Sequence, residues 1–202
     1  MSQFNTLRTI AGIAETTANW NQTALILVDY QKEYTSGMLA LGEAGTQAIQ
    51  QAQKLLNYCR EQQVPVFHVV HHAAPGSKVF HPQTEMAGIV EPLCPADNET
   101  IVIKSMPNSF FNTGLENLLK STGRKELVIA GLMSHMCVTA TTIRATELGY
   151  TNIVCADACA TRSLKDENGQ VVDADMLHHA SMAALSDRYA AILNLKQLIA
   201  AG

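Results

Sequence analysis

Three side chains of different chemistry stand where short β-favouring runs end. Asp29 follows the apolar run of residues 24–28, and Lys104 follows residues 100–103. Cys137 closes the turn Gly131-Leu132-Met133-Ser134-His135-Met136-Cys137, which comes after the run of residues 127–130. Taken singly, each has an ordinary reading. Asp29 reads as a loop-capping carboxylate, Lys104 as a solvated strand-end lysine and Cys137 as a small buried hydrophobe. Ligands of open α/β sheets bind beyond the carboxyl ends of the strands, so such a fold brings acid, cation and thiol to one edge. Together they describe acyl transfer through a thioester. A thiol attacks as thiolate, which a helix N-terminus and a nearby cation favour. Asp29 opposes that thiolate electrostatically but can take the thiol proton and return it to a leaving amine. Backbone N–H groups of a turn that opens a helix suit an oxyanion.

The elements that must position these groups are legible from periodicity. Residues 24–28 (ALILV) form a continuous apolar run, as expected of a strand covered on both faces. Ile49, Ala52, Leu55, Leu56 and Cys59 recur at helical spacing within residues 46–62. Residues 64–70 read as a second strand, 100–103 as a third, 127–130 as a fourth, 152–156 as a fifth and 190–193 as a sixth. Helices are expected after Asn112 or Thr113 through Thr122, over residues 136–148 and 173–185, and at 195–201. Gly123 and Gly149 act as stops. Between them, residues 71–98 form a long irregular stretch rich in proline and glycine, of the kind that is usually functional. Strand–helix alternation at these lengths predicts a single doubly wound α/β domain over residues 1–202. Its six-stranded parallel sheet carries helices on both faces.

Composition narrows the classes. The 202 residues are 47% apolar with 14 basic and 18 acidic side chains, a net charge of -4 and no clustered basic surface. Nucleic acid is excluded as a general partner. No apolar run is long enough to span a bilayer, and no basic-then-apolar leader opens the chain. Five cysteines without a CxxC pair point to reduced thiols and the cytoplasm. Neither GxGxxG after the first strand nor GxxxxGK[ST] occurs, so no dinucleotide or phosphate cradle is expected.

The segments ALILVDYQ, VIKSMPNSFFNTGLENLL, ELVIAGLMSHMCVTATTIRATELGY and IVCADACAT resemble the isochorismatase-like cysteine hydrolases over residues 24–193. The cysteine turn is the most specific part of the likeness. The resemblance implies a six-stranded parallel sheet and a catalytic set of Asp29 as base, Lys104 and Cys137 as nucleophile. It further implies a dimer or larger homo-oligomer. It also implies a cis peptide between Leu132 and Met133, with the Met133 and Cys137 N–H groups as oxyanion hole. True isochorismatases generally lack the cysteine, so Cys137 argues for a C–N bond. Nicotinamidases carry an Asp-x-His metal segment after the second strand, whereas this chain reads Val70-His71-His72-Ala73-Ala74. A metal-free amidase acting on a small amide or ureido compound, with no cofactor, is the better match. The alternatives are a silent oligomeric binding protein on the same scaffold and a metal-dependent amidase.

Specificity is expected from residues 30–45 and the long irregular stretch. Tyr30, Tyr34 and Phe80, with Met38, Leu39 and Leu41, are candidates for an apolar pocket wall, and core packing competes for each. Arg162 is a candidate for holding a substrate carboxylate. His135 lies two residues before the thiol, a poor position for its base, and is kept as a pocket candidate. His68, His71, His72 and His81 cluster without a carboxylate or cysteine at ligand spacing, so loop or pocket roles are favoured over metal. His178 and His179 are expected to face solvent or an interface. Cys59, Cys155 and Cys159 read as packing.

Overall fold

The structure is a computed structural model and describes residues 5–13 and 17–200. After a short helix α1 (Leu7–Ile10), the chain runs β1 (Thr23–Val28), α2 (Gly42–Glu61), β2 (Val66–His71), β3 (Thr100–Lys104) and α3 (Leu115–Thr122). It continues with β4 (Glu126–Gly131), α4 (Thr139–Glu147), β5 (Thr151–Cys155), β6 (Leu164–Lys165), β7 (Val171–Val172), α5 (Ala174–Arg188), β8 (Ala191–Leu193) and α6 (Leu195–Ala200). The expected terminal helix thus holds to Ala200, and Ala201 lies outside the described residues.

Six strands form one parallel sheet in the order β3-β2-β1-β4-β5-β8, the doubly wound arrangement expected from strand–helix alternation. The order reverses at β1, so β1 and β4 are neighbours although α2, β2, β3 and α3 separate them in sequence. β1 is buried at every position because each face meets a helical layer. On one face Leu25 and Leu27 pack with Leu55, Leu56 and Cys59 of α2 and Leu198 of α6. On the other, Ile26 and Val28 pack with Leu115 and Leu119 of α3, Ala145 of α4 and Leu185 of α5. Truncating a residue such as Leu55, fully buried, costs about 2–5 kcal/mol by transfer and cavity contributions.

Close approach explains one glycine. A Cβ on Gly131 would lie 2.4 Å from the Val28 carbonyl oxygen, so the last β1–β4 pair admits no side chain. Elsewhere the local reading needs adjustment. α2 begins at Gly42, four residues before the apolar periodicity, because its first turn is small and polar. α3 is not capped by an Asn112 or Thr113 side chain. Gly114 occupies the cap position, Asn112 is left-handed (φ 52°), and the Thr113 hydroxyl accepts only a 3.4 Å contact from the Leu115 N–H. The helix expected over 136–148 is preceded by a π-type turn, Ser134–Val138, in which the Val138 N–H donates to the Met133 carbonyl at 3.3 Å. The β6–β7 hairpin was not expected, since two-residue strands carry no readable period. Among the described residues, no helix is long and apolar enough to cross a membrane.

Candidate active site

Each key group is set by the end of a strand. Asp29 follows β1 in a left-handed conformation (φ 56°), which short polar side chains tolerate best among non-glycine residues, and its N–H donates to Val69 of β2. Lys104 is the last residue of β3. Register places it beside His71, the last residue of β2. Cys137 comes from the π-type turn after β4, and the Leu132–Met133 peptide in that turn is cis. The structure therefore brings Asp29, Lys104 and Cys137 together, with their side chains almost closed to water.

The ammonium of Lys104 is the hub. Its Nζ lies 2.8 Å from Asp29 Oδ2, 3.4 Å from Cys137 Sγ and 3.3 Å from His71 Nδ1. The Asp29–Lys104 contact is short but poorly directed, so neither carboxylate oxygen receives a well-aligned hydrogen bond. Burial is the largest influence on Asp29 and raises its pKa, against the pull of Lys104. Burial and the Asp29 charge push the Cys137 thiol up to about 12, and Lys104 only offsets them. The expectation of a thiol acidified by a helix start and a cation is corrected here. Cys137 sits inside the turn rather than at a free helix N-terminus, and dehydration outweighs the cation. The site holds a thiol that burial keeps from ionising, beside a buried carboxyl group. Such a pair can form the nucleophile by transferring one proton inside the site.

The pocket candidates divide. Tyr34 and Phe80 are buried and meet edge to face, with ring centres 5.3 Å apart, and Phe80 meets His71 in the same way at 5.2 Å. Burial first, then Asp29 and Cys137, push the Tyr34 hydroxyl upward, while Arg162 pulls the other way. Tyr34 therefore stands within electrostatic reach of the site, and Arg162 is an exposed cation close enough to act on it. Tyr30 does not join them. Its ring belongs to the core cluster and its hydroxyl donates to the Ala158 carbonyl. His135 turns its Nδ1 to the Thr161 hydroxyl, and burial, then Arg162, lowers its pKa.

Two groups were missed or misread. His178 was expected to face solvent or an interface, but it is half-buried, with its Nδ1 2.7 Å from the Ser134 hydroxyl. The helical position alone gave no hint of that partner. His71 had no assigned contact, and a strand register with Lys104 would have been the signal. Cys59 and Cys155 are core residues as expected, and the Cys159 thiol, also buried, donates to the Cys155 carbonyl. Among the described residues, no three His, Cys, Asp or Glu side chains are grouped to hold a metal ion.

Comparison with known proteins finds that the isochorismatase domain family matches residues 23–197. The chain is 45% identical to the isochorismatase family protein YddQ of Bacillus subtilis, over 84% of this chain and 94% of that protein. It is 32% identical to the secreted isochorismatase effector Isc1 of Verticillium dahliae, over 98% of this chain and all of the effector. A crystal structure of an isochorismatase from Pseudomonas putida superposes with a TM-score of 0.91 at 33% identity, covering 96% of this chain and 99% of that one. More distant relatives carry hydrolase names. Streptothricin hydrolase of Streptomyces noursei is 34% identical over 81% of this chain but only 59% of its own length. Maleamate amidohydrolase of Pseudomonas putida is 26% identical over 75% of this chain and 78% of its own, and a ureidoacrylate amidohydrolase of Stutzerimonas stutzeri 28% over 68% and 69%.

Proposed function

We propose that this chain, which belongs to the isochorismatase family, is a cysteine hydrolase that opens a small non-peptide amide or ureido C–N bond. The observation that carries the reading is the buried contact of Lys104 with both Asp29 and Cys137 at one sheet edge. Asp29 takes the Cys137 proton as sulfur attacks the carbonyl carbon. The oxyanion that forms is held by the Met133 and Cys137 N–H groups and the nearby Lys104 charge. Collapse of the tetrahedral species breaks the C–N bond, and Asp29 returns its proton to the leaving amine. Water then attacks the thioester with Asp29 again as base, releasing the acid and the free thiol.

The thiol is only 5% exposed, which favours a small substrate over a polymer. Tyr34 and Phe80 supply an apolar wall, and Arg162 a charge for a substrate carboxylate. Relatives named for maleamate and ureidoacrylate hydrolysis support that substrate class. The mechanism calls on no metal or cofactor. Residues 1–202 act as one domain, with reduced thiols, in the cytoplasm and as a homo-oligomer. Ammonia release from maleamate, ureidoacrylate and related small amides and ureas tests the reading, with Cys137→Ala as control. Release that depends on Cys137 and survives exhaustive chelation is expected. Release that chelation abolishes and zinc, manganese or iron restores refutes the metal-free mechanism, and release unaffected by Cys137→Ala refutes the covalent one.

A further inference from the structure

We infer that His71 is a positioning residue of this site, its Nδ1 accepting the third N–H of Lys104 and so fixing the ammonium between Asp29 and Cys137. The inference rests on the role proposed above for Lys104. An ammonium has three N–H donors and no acceptor. Among the described residues, Lys104 Nζ has three neighbours within hydrogen-bond or ion-pair distance: Asp29 Oδ2, Cys137 Sγ and His71 Nδ1. Removing one leaves a donor with no partner in a site from which water is excluded, and the ammonium then shifts toward the carboxylate and away from sulfur.

The chain holds His71 for this task. Its backbone N–H donates to Gln31 Oε1 at 2.8 Å, and its carbonyl accepts from Gln31 Nε2 at 2.9 Å. The same Nε2 donates to the Ala87 carbonyl at 2.7 Å, tying the irregular stretch to the end of β2. Gln31 is fully buried, two residues after Asp29, so base and imidazole share one short segment. The Phe80 ring then fixes the plane of the imidazole. Burial, Lys104 and His72 hold His71 down to about 4, so the ring is neutral at pH 7. A neutral ring facing an ammonium must present a bare Nδ1 and carry its proton on Nε2.

That tautomer is the first test and needs no substitution. Ring 15N shifts of the intact protein at neutral pH are expected to show His71 with hydrogen on Nε2, and hydrogen on Nδ1 would overturn the inference. The second test alkylates the protein with iodoacetamide and counts modification at Cys137 against exposed Cys94, an internal reference. His71→Phe keeps an aromatic edge on Phe80 but has no acceptor. It should lower the Cys137-to-Cys94 ratio about tenfold, the effect of one hydrogen bond to a charged group. His71→Asn restores an acceptor at the Nδ1 position and should recover the ratio to within about twofold. A His71→Phe ratio equal to wild type while Lys104→Met lowers it removes the role of His71 alone. A ratio unchanged in Lys104→Met counts instead against the function proposed for Lys104.

Discussion

Two clusters in this molecule use the same three kinds of side chain and treat their carboxylates in opposite ways. At the sheet edge, Asp29 meets Lys104 with His71 behind it. On the α2 side, Glu99 meets Arg60 with His68 beside it. Glu99 accepts from Arg60 Nε and Nη2 at 2.7 and 2.9 Å and from the Ala96 N–H at 2.9 Å, and His68 Nε2 lies 2.8 Å from its Oε2. Burial works against its charge, yet these hydrogen bonds together bring its pKa down to about 2. Asp29 is fully buried and receives no well-aligned donor, so its pKa moves up. Burial raises both carboxyl groups, and only at Glu99 do well-aligned donors outweigh it. The Glu99 lock favours folding at neutral pH, whereas the raised Asp29 pKa works against it there.

Breaking the base should have the largest effect. Cys137→Ala removes the proposed nucleophile, and Asp29→Asn removes the group proposed to accept the thiol proton. Each should lower turnover by about 10³-fold or more, the upper range for loss of a nucleophile or a general base. Circular dichroism should show the fold retained in Cys137→Ala, since only a thiol is lost. Asp29→Asn turning over at a tenth of wild type would mean that the proton goes elsewhere.

Lys104→Met comes next. It keeps volume but removes the charge that alone offsets burial at sulfur, so the thiol should become still harder to ionise. Alkylation of Cys137 followed against pH should shift to higher pH, and turnover should fall about 10²-fold. An unchanged alkylation profile would separate Lys104 from the thiol.

The meeting of Asp29, Lys104 and Cys137 was legible in the sequence and the Glu99 cluster was not. Asp29, Lys104 and Cys137 each end or follow an apolar run, and a parallel sheet collects such ends at one edge. The six strands of the parallel sheet followed from the same runs. Glu99 lies just past the irregular stretch, 39 residues from Arg60, with no period to connect them. The partnership of Ser134 with His178 depends on how α5 docks over the π-type turn, which no local pattern records. Thiol acidity was misread for a related reason. Position after a strand was visible, but the dehydration that outweighs the cation belongs to the packed structure.

Breaking the lock should cost stability and leave chemistry alone. Glu99→Gln loses the charge that Arg60 grips and should lower stability by about 2 kcal/mol, reduced from a fully buried pair because Arg60 is partly exposed. The pH dependence has a definite sign. Glu99 has its pKa depressed in the folded state, so its contribution is present above the ordinary value near 4.5 and is lost as pH falls toward 2. His68, whose pKa is also lowered by burial, adds a loss in the same direction below pH 6.5, where the unfolded imidazole gains a proton more readily. Urea titrations should show wild type weakening steeply between about pH 5 and pH 2, and Glu99→Gln with a flatter slope over that range. Equal slopes would mean that Glu99 is not the group that titrates.

The smallest expected effect tests whether the two regions are independent. Arg60 reaches Glu99 with two nitrogens, and its Nη2 also donates to the Cys94 carbonyl at 2.9 Å. Lysine at this position keeps the charge but cannot form the fork or reach three oxygens at once. The guanidinium is 34% exposed, so water can replace part of what is lost. Arg60→Lys should therefore cost only about 1 kcal/mol, or roughly 2–4 °C in melting temperature for a chain of this size. The informative measurement is turnover of the same variant. β2 links the clusters directly, since His68 faces Glu99 and His71, three residues on, reaches Lys104. Register fixes both ends of that strand on β3, with His68 opposite Ile101 and His71 opposite Lys104. If the strand is a rigid divider, Arg60→Lys leaves kcat within about twofold of wild type, as expected of distant independent sites. A larger fall in kcat at unchanged KM would show that loosening the lock moves His71, and that Glu99 helps hold the ammonium at the other end of the strand.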